Sequence, residues 1–298
     1  MFNFTLINFY NAFAINQLFF NQIYSNKDKL KEQNISFNQI SGSFPFNYWN
    51  GGINSNIIGN ICQYSDIENV FKQQSKSLRL NCSNILLNEK DFYNNYNKVI
   101  LEQGQNGSTV IEIANLKLYK FIKENYPNYN KFILSPNAWL NHKLTPDEVN
   151  IIAENDDFEL ISLPPNLNND IEYLKALKYK NKIEITINPR CPSYCPQYEQ
   201  CHLQEHNMQY NFSQNSILGN CIKCNSYDID DSLKLEDLKS IYIPLGINHF
   251  RLEECLPNEL LRYYIFLVKF FIKEEYQEQI IEEGLLELTE PLISSFNI

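Results

Sequence analysis

Short aliphatic runs alternate with helical segments along most of this 298-residue chain, and that alternation limits the folds open to it. The runs are Ile35–Phe46, Ser77–Ser83, Thr109–Asn115, Lys131–Ser135, Phe158–Leu163 and Lys182–Asn188. Each is rich in β-branched or aliphatic residues and closes in a polar or Pro-bearing loop, as a strand should. Trp49-Asn50-Gly51-Gly52 reads as the loop after the first. Helical spacing fills the intervals: about Asn11–Gln33, Asp91–Leu101, a segment marked by Leu118, Phe121 and Ile122 that stops at Pro127, and one marked by Ile171, Leu174 and Leu177. Thr145-Pro146-Asp147-Glu148 is a strong helix start, with an N-cap Thr, Pro in the first turn and Glu three residues after the cap. Strands and helices in this order predict a parallel sheet. Six or more such units in a chain of this length favour an α/β TIM-like (β/α) barrel over an open sheet.

The C-terminal part is less regular. Leu235, Leu238, Tyr242 and Leu245 suit a helix, although Ile241–Ile243 alone also reads as a strand. Phe250–Glu253 reads as the last strand and Leu260–Ile281 as one long helix closing the outer ring. The barrel is therefore expected to be distorted or incomplete near its last strands. Without a linker or an internal repeat, residues 1–298 read as one barrel domain carrying a cysteine-rich loop at about 189–226.

Alternation within the strands separates two faces. Ile183, Ile185 and Ile187 oppose Glu184, Thr186 and Asn188; Leu78, Leu80 and Cys82 oppose Arg79, Asn81 and Ser83. Ile111 and Ile113 oppose Glu112, and Phe250 and Leu252 oppose Arg251 and Glu253. If the aliphatic face meets the helices, the polar face lines the lumen. Arg79, Glu112, Glu184, Arg251 and Glu253 then form an interior cluster with a formal sum of −1. Buried charges are costly, so such a cluster must be internally paired, wet or matched to a ligand. It is either a salt-bridge plug or a polar catalytic site for a small molecule or side chain at the C-terminal mouth, where such barrels place their chemistry.

Composition excludes some functions. There is no apolar run of membrane-spanning length. The apolar N-terminus (Phe2, Phe4, Leu6, Ile7, Phe9) is interrupted by Asn3, Asn8, Asn11 and Asn16 and lacks the basic start of a secretory signal, so a cytoplasmic location is expected. A net charge of −10, from 25 Lys+Arg against 35 Asp+Glu, argues against nucleic acid as a partner.

Eight cysteines are unevenly spread. Cys62, Cys82 and Cys255 are isolated and read as small buried hydrophobes. Cys191, Cys195, Cys201, Cys221 and Cys224 crowd into one stretch after the strand at 182–188. In a cytosolic protein this is a metal site before it is a disulfide framework. Cys191, Cys195, Cys221 and Cys224, a C-x3-C and a C-x2-C, can place four thiolates on one centre. Zinc and a [4Fe–4S] cluster both accept that set. Cys201, His202 and His206 are spare candidates, the two histidines reading first as packed or surface residues.

Lys182–Cys195 (KIEITINPRCPSYC) with Asn215–Cys224 (NSILGNCIKC) resembles the cysteine-bearing region of the collagenase-like peptidase family of unassigned catalytic type. Tyr242–Glu254 (YIPLGINHFRLEE) resembles that family's late motif, a Gly-hydrophobic turn leading into a strand with a basic residue and a Glu. The resemblance implies a TIM-like barrel. It also implies a cluster on Cys191, Cys195, Cys221 and Cys224, with Arg251 and Glu253 at the late motif's basic and acidic positions. Members of the family support oxygen-independent hydroxylation of RNA bases or ubiquinone precursors. Here Glu254 and Cys255 replace the family's usual Gly and Arg, and the cysteine spacings differ. The leading expectation is an iron–sulfur barrel enzyme acting on a small molecule or side chain, with a redox partner. The alternative is a zinc-stabilised binding or scaffold protein. Proteolysis ranks last, since the sequence holds neither HExxH nor GxSxG.

Overall fold

The computed structural model describes residues 1–7, 9, 12–24, 27–44, 47–51, 64–105, 109–140, 142–189, 197–211, 232–253 and 259–296. Eight parallel strands close into a barrel in sequence order. They are β1 (Phe2–Leu6), β2 (Ile35–Gly42), β3 (Ser77–Cys82), β4 (Val110–Ile113), β5 (Phe132–Leu134), β6 (Phe158–Ser162), β7 (Ile183–Thr186) and β8 (His249–Arg251). Helices α1 (Phe13–Tyr24), α2 (Tyr64–Gln73), α3 (Asn95–Gly104), α4 (Leu116–Asn125), α5 (Pro146–Glu154) and α6 (Ile171–Ala176) follow the first six strands. α5 starts as the sequence predicts: Thr145 and Glu148 form a reciprocal capping box with Pro146 in the first turn.

Two features of the ends differ from the sequence expectation. The N-terminal stretch, whose asparagines look like interruptions of an apolar run, is β1: Phe2, Phe4 and Leu6 share the helix-facing side and Asn3 and Thr5 the other. It is the strand that completes the barrel, because β8 pairs with both neighbours, matching Glu184, Ile185 and Thr186 of β7 and Asn3, Phe4 and Thr5 of β1. The last strands are thus short but not missing.

The expected single helix over Leu260–Ile281 is two, α10 (Leu260–Phe271) and α11 (Glu274–Phe296). Between them Ile272 is extended and bridges Leu30, while the Lys31 N–H donates to Phe271 O at 2.8 Å and the Lys273 N–H to Lys29 O at 3.0 Å. Backbone pairing with the 27–31 turn competes successfully with helix continuation there. Residues 235–245 are helical throughout, as α8 (Leu235–Asp237), a π turn and α9 (Ile243–Leu245), so the strand alternative at 241–243 does not hold. Gly246, at φ +90°, ends this helix and turns the chain into β8.

α10 seals the seam between the first strands. Phe271 packs edge-on against Phe4 and Phe37, at ring separations of 4.8 and 4.9 Å, and Phe19 of α1 joins Phe37 at 5.3 Å. Each fully buried Phe contributes about 2 kcal/mol by removal from water, so this aromatic knot fixes β1 and β2 beside the C-terminal helices. Inside the barrel, Val110, Ile133 and Leu160 form a separate small apolar cluster on the β4–β6 side. The rest of the described lumen is polar, and the charged face of the strands points there. Among the described residues no helix is long and apolar enough to cross a membrane.

Candidate functional site

Four of the five charged residues picked from strand alternation meet in the lumen. Arg79, on β3, is fully buried and uses every guanidinium nitrogen. Its Nε donates to Glu112 Oε2 at 2.8 Å, Nη1 to both Glu184 oxygens at 2.8 and 2.7 Å, and Nη2 to Ser162 Oγ at 2.8 Å. Glu184 also accepts from Thr5 Oγ1 at 2.8 Å and from Ser162 Oγ. Arg251 Nη1 donates to Glu112 Oε1 at 3.0 Å. Two arginines and two glutamates therefore sum to zero rather than to −1.

Burial alone would raise the Glu112 carboxyl, but Arg251 and Arg79, with a hydrogen bond from Ser135, overcome it and hold the pKa at about 2. Burial likewise opposes ionisation of Glu184, which Arg79 and Arg251 reverse, leaving its pKa lowered. Both carboxylates are charged at neutral pH.

Glu253 lies elsewhere. β8 ends at Arg251, two residues earlier than the sequence pattern suggests, because the chain reaches the barrel rim: the Leu252 N–H donates to Thr5 O at 3.1 Å and the Glu253 N–H to Asn188 Oδ1 at 2.8 Å. Glu253 is half-buried and lines a cavity of about 50 Å³ at the C-terminal mouth. Glu112 and Arg251 form the floor of that cavity, with Asn81, Ser83, Ser135, Asn137 and Thr186 around it. Helix α7 (Tyr198–Asn211) supplies Tyr198, His202 and Glu205 to the opposite side. A space of this size holds about three or four water-sized groups, so it suits one small polar end of a ligand.

α7 is fastened to the mouth by His206, which is fully buried. The Ile85 N–H donates to His206 Nδ1 at 3.1 Å, and Asn84 Nδ2 donates to His206 O at 3.2 Å. Accepting at Nδ1 puts the neutral ring's proton on Nε2. Burial first, and His202 next, lower the His206 pKa to about 3, with Glu205 opposing. Gly51 makes room for the ring: a Cβ there would lie 2.6 Å from His206 Cε1 and 2.6 Å from Ser83 O. One turn earlier, the His202 ring lies 4.3 Å from that of Tyr198, and its Nδ1 is 3.7 Å from Glu205 Oε2. The two histidines read from the sequence as spare candidates thus both lie at the mouth, His206 buried in the seat of α7 and His202 in the cavity wall. Cys201 is half-buried beside them and Cys82 is buried on the helix-facing side of β3, its thiol raised by burial and then by Glu112.

Cys191, Cys195, Cys221 and Cys224 lie outside the described residues, as do Cys62 and Cys255. Among the described residues no group of three or more His, Cys, Asp or Glu is placed to hold a metal ion. The flanks of the four cysteines are described. In the chain, residues 190–196 join the segment after β7 to α7, and residues 212–231 join α7 to the segment at Leu233, whose N–H donates to Ile187 O at 2.8 Å just past β7. Asn188, two residues before the first cysteine segment, and Leu233, two residues after the second, lie by the rim that carries Glu253. By their chemistry, four thiolates are a donor set that fits a [4Fe–4S] cluster or a zinc ion.

Sequence reasoning missed several residues of the site. Thr5 was hidden with β1. Ser162, Ser135 and Asn137 stand at strand ends, and the inward position of Ser162 next to Leu160 depends on an irregularity of register between β5 and β6. Tyr198 and Glu205 belong to a helix packed over the mouth, for which the sequence carries no local signal.

No protein-family model matches the chain, and no curated protein matches it. Among solved structures it is similar to the U32 peptidase Mk0906, with a TM-score of 0.54 and 11% sequence identity over 86% of this chain and 94% of that one. At that identity the likeness establishes a shared TIM-like barrel fold, the fold of the collagenase-like (U32) peptidase structure.

Proposed function

We propose that this chain is a distant relative of the collagenase-like peptidase family and an enzyme that modifies a small molecule or side chain at the barrel mouth. The observation that carries the reading is the Arg251–Glu112 pair, which is hydrogen-bonded across the lumen and still faces the mouth cavity. Arg251 holds an oxygen of the bound group, and Glu253 at the rim takes or gives a proton. Arg79 and Glu184 are positioning residues, since Arg79 fixes Glu112 and Glu184 fixes Arg79. The sequence motifs at 182–195, 215–224 and 242–254 and the U32-like fold support the family relation.

In the same reading Cys191, Cys195, Cys221 and Cys224 hold a [4Fe–4S] cluster. Such a cluster supplies one-electron transfer when bound, which matches oxygen-independent hydroxylation and calls for a redox partner. The test is anaerobic purification followed by iron, sulfide and zinc analysis and visible absorption. The expected result is a brown protein with about four irons per chain, lost when Cys191 and Cys224 are changed to Ser. A colourless protein with stoichiometric zinc overturns it.

One observation favours the second reading, a zinc-stabilised scaffold without turnover. The lumen network is neutral and every nitrogen of Arg79 is satisfied internally, as in a structural plug. Under that reading chelation lowers stability and abolishes no reaction.

A further inference from the structure

Beside the small mouth cavity lies a second one of about 330 Å³, walled by Trp139, Leu144, Pro164, Leu167, Tyr173 and Tyr198. It sits among the segments that follow β5 and β6, on the same end of the barrel as the reaction site proposed above. Tyr198 belongs to the walls of both cavities, and its ring is held against His202 at 4.3 Å. Tyr198 therefore lines both a polar chamber of about 50 Å³ and an apolar one more than six times larger.

The chemistry of the larger chamber is uncharged. The two ionic groups at its edge, Lys143 and Glu199, form a 3.6 Å ion pair that cancels in sum and joins the segment before α5 to the first turn of α7. The Tyr173 hydroxyl donates to Leu144 O at 2.9 Å, which turns its polar end to the wall. Burial keeps that phenol neutral, its pKa pushed up to about 12. The volume lies at the lower end of the range of small-molecule sites, about 300–1,000 Å³. It fits one compact apolar group rather than a docked helix.

We propose that the larger chamber is a specificity pocket for an uncharged apolar moiety of the substrate, with Tyr198 as the residue over which a short tether passes to the polar chamber at Arg251. The substrate class is thereby an amphiphilic small molecule with a compact apolar body and a polar reacting end. This rests on the mouth being the reaction site, but the pocket is tested without metal or turnover, so failure of either reading shows separately.

The probe is N-phenyl-1-naphthylamine, a neutral apolar dye, titrated into the full chain. Binding is expected to saturate at one dye per chain and to quench Trp139, while Trp49, fully buried elsewhere, stays unaffected in a Trp139→Phe control. Asn166 is exposed at the pocket edge, so Asn166→Phe should fill the opening without disturbing the core and weaken dye binding at least tenfold. Indole-3-propionamide should displace the dye several-fold better than indole, because its amide reaches the polar chamber. Non-saturable binding, or dye affinity unchanged in a folded Asn166→Phe protein, overturns the pocket. Equal competition by indole and its amide overturns the two-chamber substrate.

Discussion

Arg251 and Glu112 stand on opposite walls of the barrel, on β8 and β4, and meet across its lumen at 3.0 Å. Arg79 of β3 and Glu184 of β7 do the same one strand round, at 2.7 Å, and Glu112 is shared between the two arginines. Apart from the small cluster of Val110, Ile133 and Leu160, the lumen is thus cross-braced by charge rather than filled by the layers of branched aliphatic side chains usual in such barrels. Buried pairs of this kind contribute little net stability once the cost of desolvation is counted, but losing one partner is expensive.

Removing Arg79 should therefore be severe. Arg79→Met removes the cation hydrogen-bonded to Glu184 and one of the two that hold Glu112, and is expected to cost about 3–5 kcal/mol. The double variant Arg79→Met/Glu184→Met removes the stranded charge with its partner and should recover a good part of that loss. Urea denaturation of the three proteins reads the difference; additive losses would mean that the two residues do not interact.

Acid should weaken the fold through the same carboxylates. The folded Glu112 pKa of about 2 lies below its ordinary value of 4.5, so the unfolded chain binds the extra proton between those pH values. Its contribution, on the order of 3 kcal/mol, is fully present above about pH 4.5 and is lost as pH falls through about 2. Glu184, also lowered, adds with the same sign. Chemical denaturation from pH 6 to pH 2 should show stability declining with acid, and the decline should be shallower in Glu112→Gln.

His206 opens a second window at milder acidity. Its folded pKa of about 3 is depressed from 6.5 by burial, so protons favour the unfolded state between those values, and the stability it contributes is present above 6.5 and lost as pH falls towards 3. His202 and Glu205 are the titratable neighbours on the same helix. Followed by NMR, the His206 ring should stay neutral at pH 5; a mid-point near 6.5 would mean that α7 does not bury it.

Gly51→Ala probes the seat of α7 sterically. The new Cβ meets the Ser83 carbonyl, which is backbone and cannot swing aside, as well as the His206 ring. Overpacking of this kind costs about 1–3 kcal/mol. Limited proteolysis within 197–211 should accelerate together with the loss measured by denaturation.

Thr145→Ala tests a feature visible in the sequence alone. Losing the cap, whose Oγ1 accepts from the Glu148 N–H, should cost about 1 kcal/mol in thermal or urea unfolding.

What the amino-acid order determines by itself is the alternation. Strand and helix periods specify a parallel barrel, and the period of two within β3, β4, β7 and β8 assigns Arg79, Glu112, Glu184 and Arg251 to one face, because a pleated strand must point successive side chains to opposite sides. Thr145 and Glu148 cap their helix for equally local reasons. Tertiary structure decides the rest. Phe2–Leu6 becomes the closing strand only because β2 and β8 offer it backbone partners, and the helix after Leu260 breaks because Leu30 pairs with Ile272. Glu253 leaves the charged cluster because the barrel rim falls at Arg251, and Tyr198 comes to line two chambers because His206 and Gly51 seat α7 on the mouth. Local pattern reports which way a side chain faces along its own element. Which side chains it meets depends on strand register and on where separate segments dock, contacts made between residues far apart in the chain.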